Sequence, residues 1–288
     1  MEQQKIPVSA IILTFNEEKN LPECLASIAG WVDEIFVVDS GSTDATVQIA
    51  EKQGVQIIYH PFEDYSKQRN WTLDNLPIRN NWVLQLDADH RVTPELRDTL
   101  FKTFQTNTPD VVAGFLVSRR TLFMDKWIRW GGFYPVYHAI LFQRNKGRCE
   151  EKLYDQHFKV NGPVKKLKGD ILNVVSDSLA RFTERHNKWS TMEAQDQMDQ
   201  SYRRRETVIQ GKALGTPIEQ RRYVKSLYER FPLFVRPCIY FFVRYFIQLG
   251  FLDGRRGLIY HFLQGFWFRF LVDAKIFELR YLQKKARP

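Results

Sequence analysis

The sequence predicts an α/β protein: a mostly parallel mixed sheet flanked by helices, followed by a C-terminal amphipathic helical extension. Three observations predict it. Short apolar runs alternate with helical stretches through the first four strands, the pattern of crossover units. Those runs are almost continuously apolar, as in a sheet covered on both faces. From about Glu219 onward the chain turns helical and heavy in aromatics. The expected domains are residues 1–177 and 178–288.

The elements follow in order. "VSAIILTF" (8–15) is apolar and rich in β-branched residues, hence a strand. The stretch around it, "MEQQKIPVSAIILTFNEE", has no basic leader and no small-residue cleavage site, so it reads as the start of the fold and not as a signal peptide. "EEKNLPECLASIAG" spaces Leu21, Leu25 and Ile28 on one helical face and stops at Gly30. "DEIFVVD" (33–39) is the second strand. "STDATVQIAEKQG" opens with capping residues and closes on Gly54. "VQIIYH" is the third strand, "DYSKQRNWTLDNL" a helix and "WVLQLD" (82–87) the fourth strand. Beyond Leu100, "VVAGFLVSRRTLF" and "HAILFQR" read as strands of a mixed sheet. The intervening "DKWIRWGGFYPVY" reads as a loop because it holds Gly131, Gly132 and Pro135. Ser178 to Gln210 reads as one long polar helix.

Composition narrows the function classes. At 44% hydrophobic, 288 residues can bury a large core. Cys24, Cys149 and Cys238 are odd in number and far apart, which argues against a disulfide framework and for a reducing compartment. Residues 1–180 hold 21 Lys and Arg against 23 Asp and Glu, whereas 181–288 hold 21 against 10. The basic excess is therefore C-terminal and suits an anionic partner. No G-x-G-x-x-G, no P-loop and no G-x-S-x-G elbow occurs.

The chemistry gathers where strands end, since ligands of open α/β sheets bind outside the carboxyl ends of the strands. The first strand ends in Thr14, Asn16 and Glu17, the second in Asp39 and Asp44, the fourth in Asp87 and Asp89. Carboxylates converging on one edge repel one another unless a cation or hydrogen-bond donors lie among them. An Asp-x-Asp leaving a strand suits Mg²⁺ or Mn²⁺ shared with substrate phosphates.

The segments "VSAIILTFNEEKNLPECLASI", "EIFVVDSGSTDAT", "KQRNW" and "WVLQLDADHRV" resemble the family 2 glycosyltransferases of the A-type fold. The resemblance extends through "GGFYP" and "LKGDIL" and returns at "GFLDGRRGLIYHFLQGFWFRFLVDAKIFEL", which looks like the tail of bacterial lipopolysaccharide-core β-glucosyltransferases. It implies inverting transfer of a hexose, glucose foremost, from a UDP-sugar with a divalent metal. The acceptor would be a lipid-linked or envelope glycan such as lipopolysaccharide core. Under it Thr14, Asn16, Glu17 and Asp39 hold the nucleotide, Lys67, Arg69 and Asp87 lie at the donor, and Asp89 is the metal ligand. The general base would be Asp155, with Glu151 second; the family usually shows His-Glu in this neighbourhood, where this chain has Asp155-Gln156. Trp130, Gly132 and Tyr134 form an aromatic loop suited to an acceptor sugar, whereas His90, His138 and His157 form no metal cluster. Alternative readings are a polyprenyl-phosphate sugar transferase and a non-catalytic nucleotide-sugar-binding scaffold.

Between Phe231 and Tyr281 lie 16 of the 41 aromatics, interleaved with Arg236, Arg244, Arg255, Arg256, Arg269, Lys275 and Arg280. No stretch reaches about 18 uncharged apolar residues, and each Arg at a bilayer centre costs about 2.5–3.5 kcal/mol. Nucleic acid fits poorly, because these aromatics sit among Leu, Ile and Val. The composition predicts interfacial helices holding the chain peripherally on the cytoplasmic face of the inner membrane.

Overall fold

Every residue of β1 (Ile6–Thr14) except Pro7 is buried, because this strand is central to the sheet. The computed structural model describes residues 5–106, 111–175, 178–199 and 206–286. On one side β1 pairs in parallel with β2 (Val32–Asp39), which pairs in parallel with β3 (Gln56–Tyr59). On the other side it pairs in parallel with β4 (Trp82–Asp87). The crossovers carry α1 (Leu21–Ile28), α2 (Thr46–Lys52) and α3 (Tyr65–Asn75), as the alternation predicts.

A short β5 (His90–Val92) and α4 (Pro94–Phe104) follow; Thr93 caps α4 by accepting from the Leu96 N–H. The second half of the sheet runs antiparallel. It comprises β6 (Gly114–Phe123), β7 (Lys126–Ile128), β8 (Tyr137–Gln143) and β11 (Val164–Val174). Neighbours run β3-β2-β1-β4-β8-β6-β11-β5, with β7 on β6; β9 (Gly147–Cys149) and β10 (Phe158–Val160) form a separate ribbon. The main core lies where Val8, Ala10, Ile12, Leu84 and Leu86 meet Leu21, Leu25 and Ile28 of α1 and Leu96 and Leu100 of α4.

The chain divides into two compact units. One comprises Met1–Arg119, Tyr137–Glu150 and His157–Asn173 and carries most of the sheet. The other comprises Arg120–Val136, Glu151–Gln156 and Val174–Pro288. Segments 120–136 and 151–156, which precede the expected boundary at residue 177, thus group with the C-terminal helices. Their aromatics explain it: Phe133 packs edge-on to Tyr260, and Tyr154 packs on Trp189 and Phe268.

The helical unit begins with α5 (Leu179–Met198), capped by Ser178. The rest of the long helix expected to Gln210 falls partly on 200–205, outside the described residues; 206–210 is not helical. Next come α6 (Pro217–Tyr228), with a capping box from Thr216 and Glu219, and α7 (Val235–Phe242). A π-helical turn (Val243–Ile247), a 3-10 turn (Gly250–Asp253), α8 (Gly254–Tyr260) and a second π-helical turn (His261–Trp267) lead into α9 (Phe268–Lys285). Phe268, Val272 and Ile276 of α9 pack against Ala194 of α5. Much apolar surface stays outside, including Phe242, Phe246, Ile247, Leu252 and Phe277. Among the described residues no single helix is long and apolar enough to cross a membrane; Val235–Ile247 and Gly250–Lys285 pass together by length and composition but are bent by 70°.

A buried ion pair anchors α9 to α7. Arg236 Nε donates to Asp273 Oδ1 at 2.7 Å, and the Phe234 N–H donates to Asp273 Oδ2 at 2.8 Å. Phe234 has φ 67°, a strained value for a bulky side chain, held by that second bond. Removing one partner of a buried pair leaves an uncompensated charge, a loss of about 3–5 kcal/mol. Asp273→Ala is therefore expected to lower unfolding stability in urea by that amount, and the double change Arg236→Met with Asp273→Leu by less than half of it. Equal losses from the single and double variants would contradict the assignment.

Candidate active site

Strand register brings the carboxylates together. Thr14 pairs with Asp39, and Leu13 pairs with Asp87, so the ends of β2 and β4 flank the end of β1. Asp39 is buried and spends its carboxylate on its own loop. The N–H groups of Gly41 and Ser42 donate to Oδ2 at 2.8 and 2.9 Å, and the Ser42 hydroxyl donates to Oδ1 at 2.5 Å. Gly41 has φ 94°, which lets two successive N–H groups turn onto one oxygen. Three of about four acceptor positions are thus occupied. The neighbouring loop interlocks: the Asn16 N–H donates to Ser42 Oγ at 2.8 Å, and the Thr43 N–H donates to Asn16 Oδ1 at 2.8 Å. The Glu17 N–H donates to Thr46 Oγ1 at 2.8 Å, and the Glu17 carboxylate accepts from Asn20 at 2.6 Å. The Thr14 hydroxyl is buried.

Asp87 is held by Arg69 of α3, whose Nη2 lies 2.6 Å from Oδ1. Burial pushes the Asp87 carboxyl up, but Arg69, then His90 and Arg119, pull it down to about 2. Arg69 lies over the Phe158 ring at 5.5 Å. Lys67 points elsewhere: it is exposed and its Nζ lies 2.5 Å from Glu63. The two lie two residues apart on α3, so they cannot share a face. Arg91 pins the turn after β4, donating to Glu23 at 2.9 Å, to Asn20 at 3.0 Å and to the Ala88 carbonyl at 3.2 Å.

Asp87, Asp89 and His90 each bring one ligand atom within 4.8 Å of the others. His90 lies in this group as a polar neighbour of the two carboxylates, apart from His138 and His157, which stack on each other at 5.2 Å. Its Nδ1 accepts the Asp87 N–H at 3.1 Å, so the neutral ring carries its proton on Nε2. That nitrogen lies 3.7 Å from Asp87 and 3.8 Å from Asp89. Burial lowers the His90 pKa to about 3, with Asp87 opposing, so the ring is neutral near pH 7. The ligands this group offers a cation are therefore carboxylate oxygens, the hard donors that suit Mg²⁺ or Mn²⁺. Arg69 already compensates Asp87, which leaves Asp89 as the principal one.

The remaining expected residues lie in the helical unit. Asp155 has φ 56° and is clamped by cations, with Arg222 Nη1 at 2.9 Å and Lys225 Nζ at 3.3 Å from Oδ2. Lys225 also reaches Glu193 at 3.0 Å, and Arg269 reaches Glu193 at 2.9 Å. Burial pushes Glu193 up, but Arg269 and Lys225 bring it down to about 2. Glu151 is exposed.

The aromatic loop is fixed by backbone contacts. Asp253 accepts the Arg129 N–H at 3.1 Å and the Trp130 N–H at 3.0 Å, and His261 Nε2 lies 3.4 Å from it. Gly131 has φ 68°, and a Cβ there would lie 2.1 Å from His261 Cε1. Arg244 Nη2 donates to the Gly132 carbonyl oxygen at 3.2 Å, and Tyr134 packs edge-on to Trp127 at 4.9 Å. The Asp253–His261 pair escaped sequence reading. The signal for it was present in "GFLDGRRGLIYHF", where an acid and a histidine lie eight residues apart among glycines.

Comparison with known proteins follows the same lines. The family model described as glycosyl transferase family 2 matches residues 9–159. The chain is 28% identical over 297 residues to the lipopolysaccharide core biosynthesis glycosyltransferase LpsC of Rhizobium meliloti, covering 99% of this chain and 96% of the relative. It is 25% identical over 291 residues to an uncharacterized glycosyltransferase of Rickettsia typhi, covering 97% and 89%. Among solved structures, S. aureus TarS matches at 15% identity and TM-score 0.43, over 93% of this chain and 55% of that one. Glucosyl-3-phosphoglycerate synthase of Mycobacterium tuberculosis, with Mn²⁺ and UDP-glucose, matches at 23% identity and TM-score 0.33, over 40% and 44%. The chain thus spans about half the length of these solved chains.

Two outcomes are expected. Asp89→Ala abolishes sugar transfer, to below about a tenth of wild type or at least 1.4 kcal/mol of barrier, with an unchanged melting temperature. Retained activity at saturating metal would contradict the ligand role. Glu193, depressed in the folded chain, contributes stability that is complete above the ordinary glutamate range near 4.3 and is lost as pH falls toward about 2. Glu193→Gln is thus less stable at pH 7, and its urea stability falls less steeply between about pH 5 and pH 2. Parallel pH profiles would refute this.

Proposed function

The chain belongs to glycosyl transferase family 2, and from that premise we propose that it moves a hexose, glucose foremost, from a UDP-sugar to a hydroxyl of a lipid-linked or envelope glycan such as lipopolysaccharide core, with inversion. The observation that carries this reading is the Asp87–Asp89–His90 group beside the Asp39 loop. The acceptor class rests on full-length similarity to an enzyme named for lipopolysaccharide core biosynthesis.

The residues divide the work. Asp39 has one acceptor position left for a nucleoside donor such as the uracil N–H, and the Asn16 loop closes over the same edge. Bound Mg²⁺ or Mn²⁺, held by Asp89 with Asp87, would offset the charge gathering on the leaving diphosphate. Arg69 keeps Asp87 ionised and oriented. His90 accepts the Asp87 N–H and so fixes the backbone from which the Asp87 side chain springs.

Inverting transfer needs a base for the acceptor hydroxyl. Asp155 is ill suited, because Arg222 and Lys225 already engage its carboxylate at 2.9 and 3.3 Å. We assign the base to Glu151, whose carboxylate is exposed, and give Asp155 a structural part. The exposed aromatics of residues 231–282, with Arg255 and Arg256 exposed among them, support peripheral attachment to the cytoplasmic face of the inner membrane.

The test is UDP release from a panel of UDP-hexoses with Mn²⁺ and a core oligosaccharide acceptor. Acceptor-dependent release, greatest with UDP-glucose, is expected; UDP binding without turnover would mark a scaffold. Glu151→Gln should lower the rate by roughly 10²–10⁴ at unchanged UDP affinity, while Asp155→Asn chiefly lowers the melting temperature. The reverse pattern would return the base to Asp155. Flotation with phosphatidylglycerol vesicles at low salt checks attachment, and a chain that stays at the bottom of the gradient would show the aromatic helices to be covered by protein.

A further inference from the structure

The helical unit carries a charge surplus that its own acids do not balance. Five cations gather there: Arg221, Arg222 and Lys225 on α6, Arg244 in the first π-helical turn and Arg269 on α9. Two carboxylates answer them. Asp155 takes Arg222 and Lys225, and Glu193 takes Lys225 and Arg269. Neither Arg221 nor Arg244 has a carboxylate partner among the described residues.

Tyr240 links the surplus charges. Arg244 lies over its ring at 4.8 Å and Arg269 at 5.3 Å, while the other face of the Arg244 environment is the Phe133 ring at 4.2 Å. Burial pushes the Tyr240 phenol up, but Arg244, Arg269 and Arg221 together pull it below its ordinary value. Hydrogen-bonding capacity is also left over. Arg244 Nη1, Arg269 Nε and Tyr228 Oη are buried without a partner, and the Tyr228 ring lies 5.5 Å from Tyr240. Buried donors without acceptors are rare in folded chains, because desolvating them costs free energy. Here two belong to guanidinium groups facing a shared aromatic floor.

We propose that Arg221, Arg244 and Arg269, with Tyr240 and Tyr228, form a subsite for a phosphate group. Guanidinium forks grip phosphate oxygens in pairs, and a phosphate carries enough charge to answer a surplus that a single carboxylate would leave partly unmet. The phosphate comes from one of two sources. It is either a substituent of the acceptor glycan, which rests on the function proposed above, or the headgroup of a membrane phospholipid. The shared chemistry is the same.

The test is calorimetric titration of inorganic phosphate into the full chain, with saturating UDP and Mn²⁺ present so that the donor residues are already engaged. Wild type should bind phosphate, and Arg244→Gln and Arg221→Ala should each weaken it at least about tenfold while leaving UDP affinity unchanged. Arg221 is exposed, so its variant keeps the test valid even if Arg244→Gln perturbs the Phe133 loop. Two further arms identify the source. A drop in flotation with phosphatidylglycerol vesicles assigns the subsite to lipid, and a raised acceptor KM at constant kcat assigns it to the acceptor. Wild type that binds no phosphate, or variants that bind it as wild type does, would overturn the proposal. A chain that binds phosphate but turns over no UDP-sugar would instead count against the function proposed above alone.

Discussion

The central constraint is negative charge collected at one edge of a buried sheet. The registers of β1 with β2 and β4 leave no freedom: if Thr14 pairs with Asp39 and Leu13 with Asp87, the carboxylates emerge from the two strands that flank β1. Asp87 and Asp89, whose nearest ligand oxygens lie within 4.8 Å of each other, repel by about 3 kcal/mol or more at an effective dielectric near 20. Arg69 at 2.6 Å attracts by roughly 6 kcal/mol on the same scale, so the pair wins and Asp87 stays ionised. Much of the local structure serves that balance. The donors around Asp39, the burial of Arg69 beside Phe158 and the clasp of Arg91 on the Ala88 turn all hold these acids in place.

His90 shows how a small detail sets chemistry. Because its Nδ1 takes the Asp87 N–H, the ring can present only a proton to the two carboxylates. It offers a cation no lone pair and leaves that part to the carboxylate oxygens. A histidine with the opposite tautomer would compete for that cation itself and favour a softer metal.

The helical unit handles charge differently. Its acids are buried among cations, and its backbone contacts fix the aromatic loop, so rigidity comes from Asp253, Asp273 and Glu193 as much as from the apolar seam of α5 and α9. Phe123 and Phe182 pack in a second buried cluster, whereas Phe242, Phe246, Phe262 and Phe277 stay exposed.

The parallel half of the fold was legible because each strand is a continuous apolar run, although of the three crossover helices only α3 carries a side-chain cap, from Asp64. The pairing of Asp87 with Asp89 was legible for the same reason, being the end of such a run. Three-residue strands such as β5, β9 and β10 are too short to show a period. Lys67 and Arg69 could not be separated, since only the helix phase tells which one faces β4. The tie between Trp130 and Asp253 spans 123 residues and leaves no local trace. Electron paramagnetic resonance of Mn²⁺ tests the central claim most directly. Adding the wild-type chain with UDP should remove the free-ion signal, whereas Asp89→Asn with UDP should leave it intact. Equal quenching by the two proteins would show that the carboxylates at this edge do not hold the metal.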